Sequence, residues 1–310
     1  MNVVDLGYAA GWRLVRMLPE SAARALFTAA ADQAYRRNGP GTRRMRANYR
    51  RVVGPDMPDT ELEALVRAGL RSYARYWMEA FRLTSRSHEQ HLSDFQVDNW
   101  EILPGLLERG RGIVMALTHS GNWDIAGAWV TAKGWKLTTV AERLKPESVF
   151  ERFLAYRREL GMEILPLTGG ERPPFDVLVE RLESGAIVPL LAERDLSARG
   201  VEVSFFGGRT RMAPGPALLA IRTGAPLLVV DVWYDDDRTR GHLTEVEIPG
   251  PSSGNLTERV RIVAQRMADL FQEAIARHPQ DWHMLQRMWL DDPSRVPPVP
   301  SAGQSPTSEI

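Results

Sequence analysis

The chain has 310 residues, 44% of them hydrophobic and 25% charged, with no cysteine and a formal net charge of zero. That balance suits one large globular domain or two small ones, excludes disulfides, thiolate metal sites and a cysteine nucleophile, and leaves any preference for anions to local clusters. No apolar run reaches the roughly 18 residues that span a bilayer, and the N-terminus lacks the pattern of a secretory signal.

Residues 1–36 read as two helices broken at Pro19. The first carries Trp12, Leu14, Val15, Met17 and Leu18 beside Arg13 and Arg16, and the second, from Ser21, is rich in alanine. A cation-dense stretch follows: Arg36, Arg37, Arg43, Arg44, Arg46, Arg50 and Arg51, with no acid between Asp32 and Asp56. Apolar helices leading into clustered arginine suit a membrane-associating region over residues 1–51, lying on an anionic surface. A packed helix pair with a solvated basic loop at residues 38–41 explains the same pattern equally well. Neither a helix-turn-helix nor an RNA-binding signature accompanies the arginines, so nucleic acid is not expected as a partner.

Asp59 and Thr60 can cap a helix over residues 59–84, where Leu62, Leu65, Val66, Leu70, Tyr73, Tyr76, Trp77 and Phe81 recur at helical spacing. Such a stripe reads as core. His88 and His91 follow in a polar loop, and residues 97–106 read as a strand and a turn into the next helix. From Gly112 the alternation is regular. Strands are expected at 112–117, 137–141, 162–167, 186–192, 201–206, 226–234 and 243–248, and helices at 122–133, 146–159, 174–182, 213–222 and 257–276. This order predicts an α/β fold, a mainly parallel central sheet flanked by helices on both faces, in one domain over residues 1–292. The tail 293–310, rich in Pro, Ser and Gly, is expected to be disordered.

His119-Ser120-Gly121-Asn122-Trp123-Asp124 stands at the exit of the 112–117 strand, where open α/β sheets place their chemistry. A neutral imidazole there can accept a proton from a hydroxyl. Either Asp124 or Glu193, the latter in Glu193-Arg194-Asp195 after the 186–192 strand, can hold its other ring nitrogen, and the residues alone leave that choice open. The plainer readings are a helix-capping turn and a surface ion-pair cluster. Arg157, Arg199, Arg209, Arg211 and Arg222 can surround a phosphate-bearing ligand. Walker-type, dinucleotide-binding and Gly-x-Ser-x-Gly patterns are absent, which favours direct attack by a substrate hydroxyl. A thioesterase, with the histidine activating water, and a lipid-binding protein without catalysis are the competing readings.

Thr118-His119-Ser120-Gly121-Asn122-Trp123-Asp124 resembles the H-x4-D block of glycerolipid-type acyltransferases. Glu193-Arg194-Asp195 with residues 200–207 resembles the second block of the lauroyl lipid A acyltransferase superfamily, and Asp281-Trp282-His283-Met284-Leu285-Gln286 is similar to its C-terminal signature. Residues 140–147 are similar to the actinobacterial branch that acylates phosphatidylinositol mannosides, whereas the P-E-G-T-R-like block of lysophosphatidate acyltransferases is missing. The resemblance implies transfer of a long acyl chain, typically palmitoyl, from acyl-CoA to the 6-hydroxyl of a mannose on mannosylated phosphatidylinositol. It implies a peripheral monomer on the cytoplasmic face of the plasma membrane, with acyl-CoA as co-substrate and neither metal nor further cofactor. It also implies a catalytic pair of His119 and Glu193, with Asp124 holding the loop or supporting the histidine. Arg157, Arg199, Arg222, Glu142 and Arg194 become candidates for contacts with acyl-CoA or the acceptor.

Overall fold

The computed structural model describes residues 12–142, 147–195, 200–236 and 238–291, apart from the side chains of residues 148 and 149. The expected tail and residues 1–11 of the N-terminal helix lie outside the described residues. After a helical segment at 12–17, three helices follow: α1 (Glu20–Arg37), α2 (Pro40–Val53) and α3 (Asp59–Arg82). The expected basic loop shrinks to Asn38 and Gly39. Asn38 closes α1 in the left-handed conformation (φ 45°), and Pro40, whose missing N–H is no loss at a helix start, opens α2 immediately. Several of the clustered arginines therefore ride on a packed helix. Met45 and Tyr49 are fully buried, Arg46 forks onto Glu63 (Nε–Oε1 2.5 Å), Arg50 pairs with Asp59, and Arg51 pairs with Asp291 at 2.7 Å. On the same helix Asn48 Nδ2 donates to the carbonyls of Met284 and Gln286, and the Tyr49 hydroxyl donates to that of Trp282. These bonds tie the N-terminal third of the chain to its C-terminal segment.

His88 and His91 lie in a short helix, α4 (His88–Ser93), opened by a capping box between Ser87 and Gln90. The α/β part runs β1 (Phe95–Asp98), α5 (Ile102–Leu107), β2 (Ile113–Leu117), α6 (Trp123–Ala132), β3 (Thr138–Ala141), α7 (Glu147–Glu159), β4 (Glu163–Pro166), α8 (Pro174–Glu183) and β5 (Ile187–Leu191). It continues with β6 (Val201–Phe205), β7 (Gly208–Met212), α9 (Gly215–Thr223), β8 (Leu227–Asp235), β9 (Arg238–Glu245) and α10 (Leu256–Arg277). The central sheet has the order β1-β9-β8-β2-β5 and is parallel except where β8 meets β9. A parallel pair, β3-β4, adjoins it through a bridge from Leu137 to Ile187. Alternate side chains feed two cores. Val114, Ala116, Val188, Leu190, Leu227 and Val229 face α2, α3 and α8–α10, while Ile113, Met115, Leu117, Ile187 and Val230 face α5–α7. Burial on both faces is why β2 is apolar throughout.

Two expected strands are corrected. Residues 201–206 do not join the main sheet. They form one arm of the β6–β7 hairpin, turned by Phe206 and Gly207 with consecutive positive φ values of 45° and 69°. The expected strand at 243–248 is the end of β9, which starts at Arg238 and runs antiparallel to β8. Its polar first half alternates, burying Thr239, Gly241 and Leu243. Among the described residues no helix is long and apolar enough to cross a membrane.

Candidate active site

β2 ends at Leu117, and the chain turns through residues 118–122 before α6 begins. Gly121 makes this turn with φ +56°, and a Cβ there would sit 2.8 Å from the Val232 carbonyl oxygen, so only glycine fits. Asn122 then caps α6, its Oδ1 accepting from the Ile125 N–H at 3.1 Å. β5, the parallel neighbour of β2, ends two residues before Glu193, which brings that carboxylate to the same rim of the sheet as His119.

Glu193 is fully buried, and its Oε1 accepts both the His119 main-chain N–H and the His119 Nδ1–H, each at 2.7 Å. Burial alone would push this carboxyl up. The His119 charge and the two hydrogen bonds outweigh burial and hold it below the usual range, so it stays ionised. A carboxylate can only accept, so neutral His119 carries its proton on Nδ1 and leaves Nε2 as a free base. The His119 side chain is 18% exposed and lines a groove of about 340 Å³, whose walls include Val140, Phe175, Leu190 and Leu191.

Asp124 does not touch the imidazole. Its Oδ1 receives Arg157 Nε at 2.8 Å, and its Oδ2 receives Arg157 Nη2 at 3.2 Å and the Tyr76 hydroxyl at 2.9 Å. The acid is buried and the arginine side chain 17% exposed. Burial pulls the Arg157 guanidinium down, but the Asp124 charge and hydrogen bond overcome it, and it remains charged. The pair borders a second, apolar cavity of about 90 Å³ between the sheet and α6, which shares Val140, Leu190 and Leu191 with the groove.

The other candidates divide by place. Glu142 and Arg194 line the groove beside His119, 3.8 Å apart, with Arg194 also bonded to Gln286. Arg222 is exposed and lies over the ring of Phe175, a groove residue, at 5.6 Å. Arg157 stands behind the groove, bound to Asp124. Arg199 lies outside the described residues.

Sequence reasoning marked residues 281–286 as a signature but gave them no place beside the histidine loop. Residues 281–283 run antiparallel to the histidine loop: Gly121 N–H donates to the Asp281 carbonyl (3.0 Å), His283 N–H donates to the His119 carbonyl (2.7 Å), and Ser120 bridges Trp282 between them. The Asp-Trp-His sequence was the available signal. Ser72, Tyr76 and Glu79 of α3 gave none, because polar residues in a charge-rich amphipathic helix do not announce which of them have distant partners.

The family model of the bacterial lipid A biosynthesis acyltransferases matches residues 3–291 of this chain. Among curated proteins, the phosphatidylinositol mannoside acyltransferase of Mycolicibacterium smegmatis is 51% identical over 294 residues, covering 94% of this chain and 93% of the relative. The protein of the same name from Mycobacterium tuberculosis is 47% identical over 293 residues, covering 94% and 90%.

Proposed function

The chain belongs to the bacterial lipid A biosynthesis acyltransferase family, and from that premise we propose that it moves a long-chain acyl group, palmitoyl in the first instance, from acyl-CoA to the 6-hydroxyl of a mannose on a phosphatidylinositol mannoside. One observation carries the chemistry: His119, which lines the groove, is held at Nδ1 by the ionised, fully buried Glu193, and its Nε2 is left for substrate. Nε2 accepts the proton of the mannose hydroxyl as its oxygen attacks the thioester carbonyl, and the carbonyl π electrons move to oxygen. As the tetrahedral adduct collapses, the C–S bond breaks and CoA leaves as thiolate, taking the proton from the imidazolium. Glu193 stabilises that imidazolium without itself being protonated. Thiolate is a good leaving group, so base assistance and positioning suffice without an acyl-enzyme.

In this reading the groove receives the thioester and the sugar, with Glu142 and Arg194 as polar contacts, and the apolar cavity beyond Leu190 and Leu191 accommodates hydrocarbon. Asp124 and Arg157 act as a fixed wall. The enzyme works as a peripheral monomer on the cytoplasmic face of the plasma membrane. Leu14 (57% exposed), Met17 (81%) and Leu26 (51%) are available to enter the headgroup layer, with Arg13 beside them for anionic lipid.

The test is mass spectrometry of the lipids made from palmitoyl-CoA and purified mannosylated phosphatidylinositol. An ester on the mannose 6-oxygen is expected, with acceptor-dependent CoA release that falls at least about 100-fold in His119→Ala. CoA release that ignores the acceptor would mark a thioesterase instead. Full turnover by His119→Ala would end the mechanism.

A further inference from the structure

Three polar side chains of α3 stand at positions 72, 76 and 79, the i, i+4, i+7 spacing of a single helix face. Each is bonded to the histidine block or to the segment that clamps it. Ser72 Oγ donates to Asp281 Oδ1 at 2.7 Å and stands 2.9 Å from His283 Nε2. A hydroxyl has one proton, so Ser72 accepts from His283, which is therefore the Nε2–H tautomer. Burial, with the His119 charge adding to it, pushes His283 down to about 3, which leaves the ring neutral and the bond intact at neutral pH. Asp281 Oδ2 also receives the Tyr234 N–H at 3.0 Å. One serine oxygen thus anchors both residues whose main chains grip the His119 carbonyl and the Gly121 N–H.

The other two positions complete the pattern. Tyr76 donates to Asp124, in the first turn of α6. Glu79, paired with Arg75 at 2.7 Å, accepts from Asn122 Nδ2 at 2.9 Å. That bond orients the Asn122 amide so that its oxygen, not its nitrogen, faces the Ile125 N–H.

Ser72, His283 and Asp281 include every residue type of a hydrolytic triad, but the connection is wrong for one. The serine stands between acid and imidazole, His283 Nδ1 has no partner, and all three residues are buried. They are built to hold rather than to react.

We propose that this face of α3, with Ser72 as its hub, is a positioning device for the His119 general base. The idea rests on the acyl-transfer reading above. His283 fixes the His119 carbonyl, Glu193 fixes its N–H and Nδ1, and the only hydrogen-bonding atom of His119 left for substrate is Nε2. Ser72, Tyr76 and Glu79 touch no reacting atom; they act through the loop.

The experiment takes full-length Ser72→Ala and Tyr76→Phe and measures kcat and KM for palmitoyl-CoA, the melting temperature, and the ring-nitrogen NMR signals of His119, assigned by their loss in His119→Gln. For Ser72→Ala, kcat is expected to fall about 10- to 100-fold, as for an ångström-scale displacement of a catalytic group, with KM nearly unchanged and shifted His119 signals. Wild-type kcat with unshifted signals overturns the proposal. So does a fall in kcat that disappears when the assay is run well below the lowered melting temperature. If Ser72→Ala does not fold, Tyr76→Phe removes one hydroxyl and is judged by the same criteria. A wild-type chain that transfers nothing to the mannosylated lipid would sink the acyl-transfer reading, whereas the His119 signals in the variants would still decide the positioning.

Discussion

Glu193 bonds His119 twice through one oxygen, while its Oε2 is buried with no hydrogen-bond partner. Oε1 therefore sets ring and main chain together, and the carboxylate's charge, which Arg194 also feels, is best balanced when the imidazole takes up a proton. Glu193→Gln preserves the shape and deletes the charge. Its kcat should drop by about 100-fold or more while the circular dichroism spectrum is retained, and near wild-type turnover would remove Glu193 from the mechanism. His283 gives a second prediction at this scale. Its folded value near 3 lies below the ordinary histidine value of 6.5, so between those values the unfolded chain binds more protons and acidification destabilises the fold. Asp281 opposes this at the acid end, because burial raises it against the pull of its Ser72 bond. The melting temperature should fall as pH drops from about 7 to 5, and His283→Gln should flatten that slope; an unchanged slope would refute the assignment. The two carboxylates that competed for the imidazole could not be separated in sequence. Helical spacing leaves Asp124 free to point either way, and only the fold brings Arg157, 33 residues later, to both of its oxygens.

At the scale of elements, α6 is fixed to α7 by Asp124 and Arg157 and to α3 by Tyr76 and Glu79. Removing one charge of a buried pair leaves the other without compensation. Asp124→Asn should therefore cost about 3–5 kcal/mol in denaturant unfolding. Adding Arg157→Gln should recover part of that loss, and strict additivity of the two changes would argue against the pair. The strands legible beforehand included β2, β5 and β8, whose apolar runs report burial on both faces, and the shorter β3, β4 and β6. β9 was half hidden because its first half is polar and alternates in burial, and β7, Gly-Arg-Thr-Arg-Met, carries too little apolar content to show as a strand. On α3 the stripe read as core buries Leu62, Val66, Leu70 and Tyr76 but leaves Tyr73, Trp77 and Phe81 half-buried, and Tyr76 also presents its hydroxyl to Asp124. A periodicity argument sees the ring and not the oxygen.

For the molecule as a whole, the arginines that suggested a membrane surface are in part committed to the protein, on Glu63, Asp59 and Asp291. Membrane attachment is better tested at the exposed apolar residues than by cutting away helices that carry core side chains. Leu14→Glu with Met17→Glu should abolish flotation with anionic vesicles and spare turnover of detergent-dispersed substrate; undiminished flotation would place the contact elsewhere. The resemblance in sequence reached the family because its blocks are local. It did not reach the joint between Asn48 and Tyr49 on α2 and the carbonyls of residues 282–286, since no pattern encodes contacts more than 230 residues apart. That joint has a consequence for synthesis. The histidine loop is translated well before the strip that clamps it, so a nascent chain released short of residue 283 can assemble most of its sheet and still lack a working base. Competence arrives only once residues 281–283 have been made.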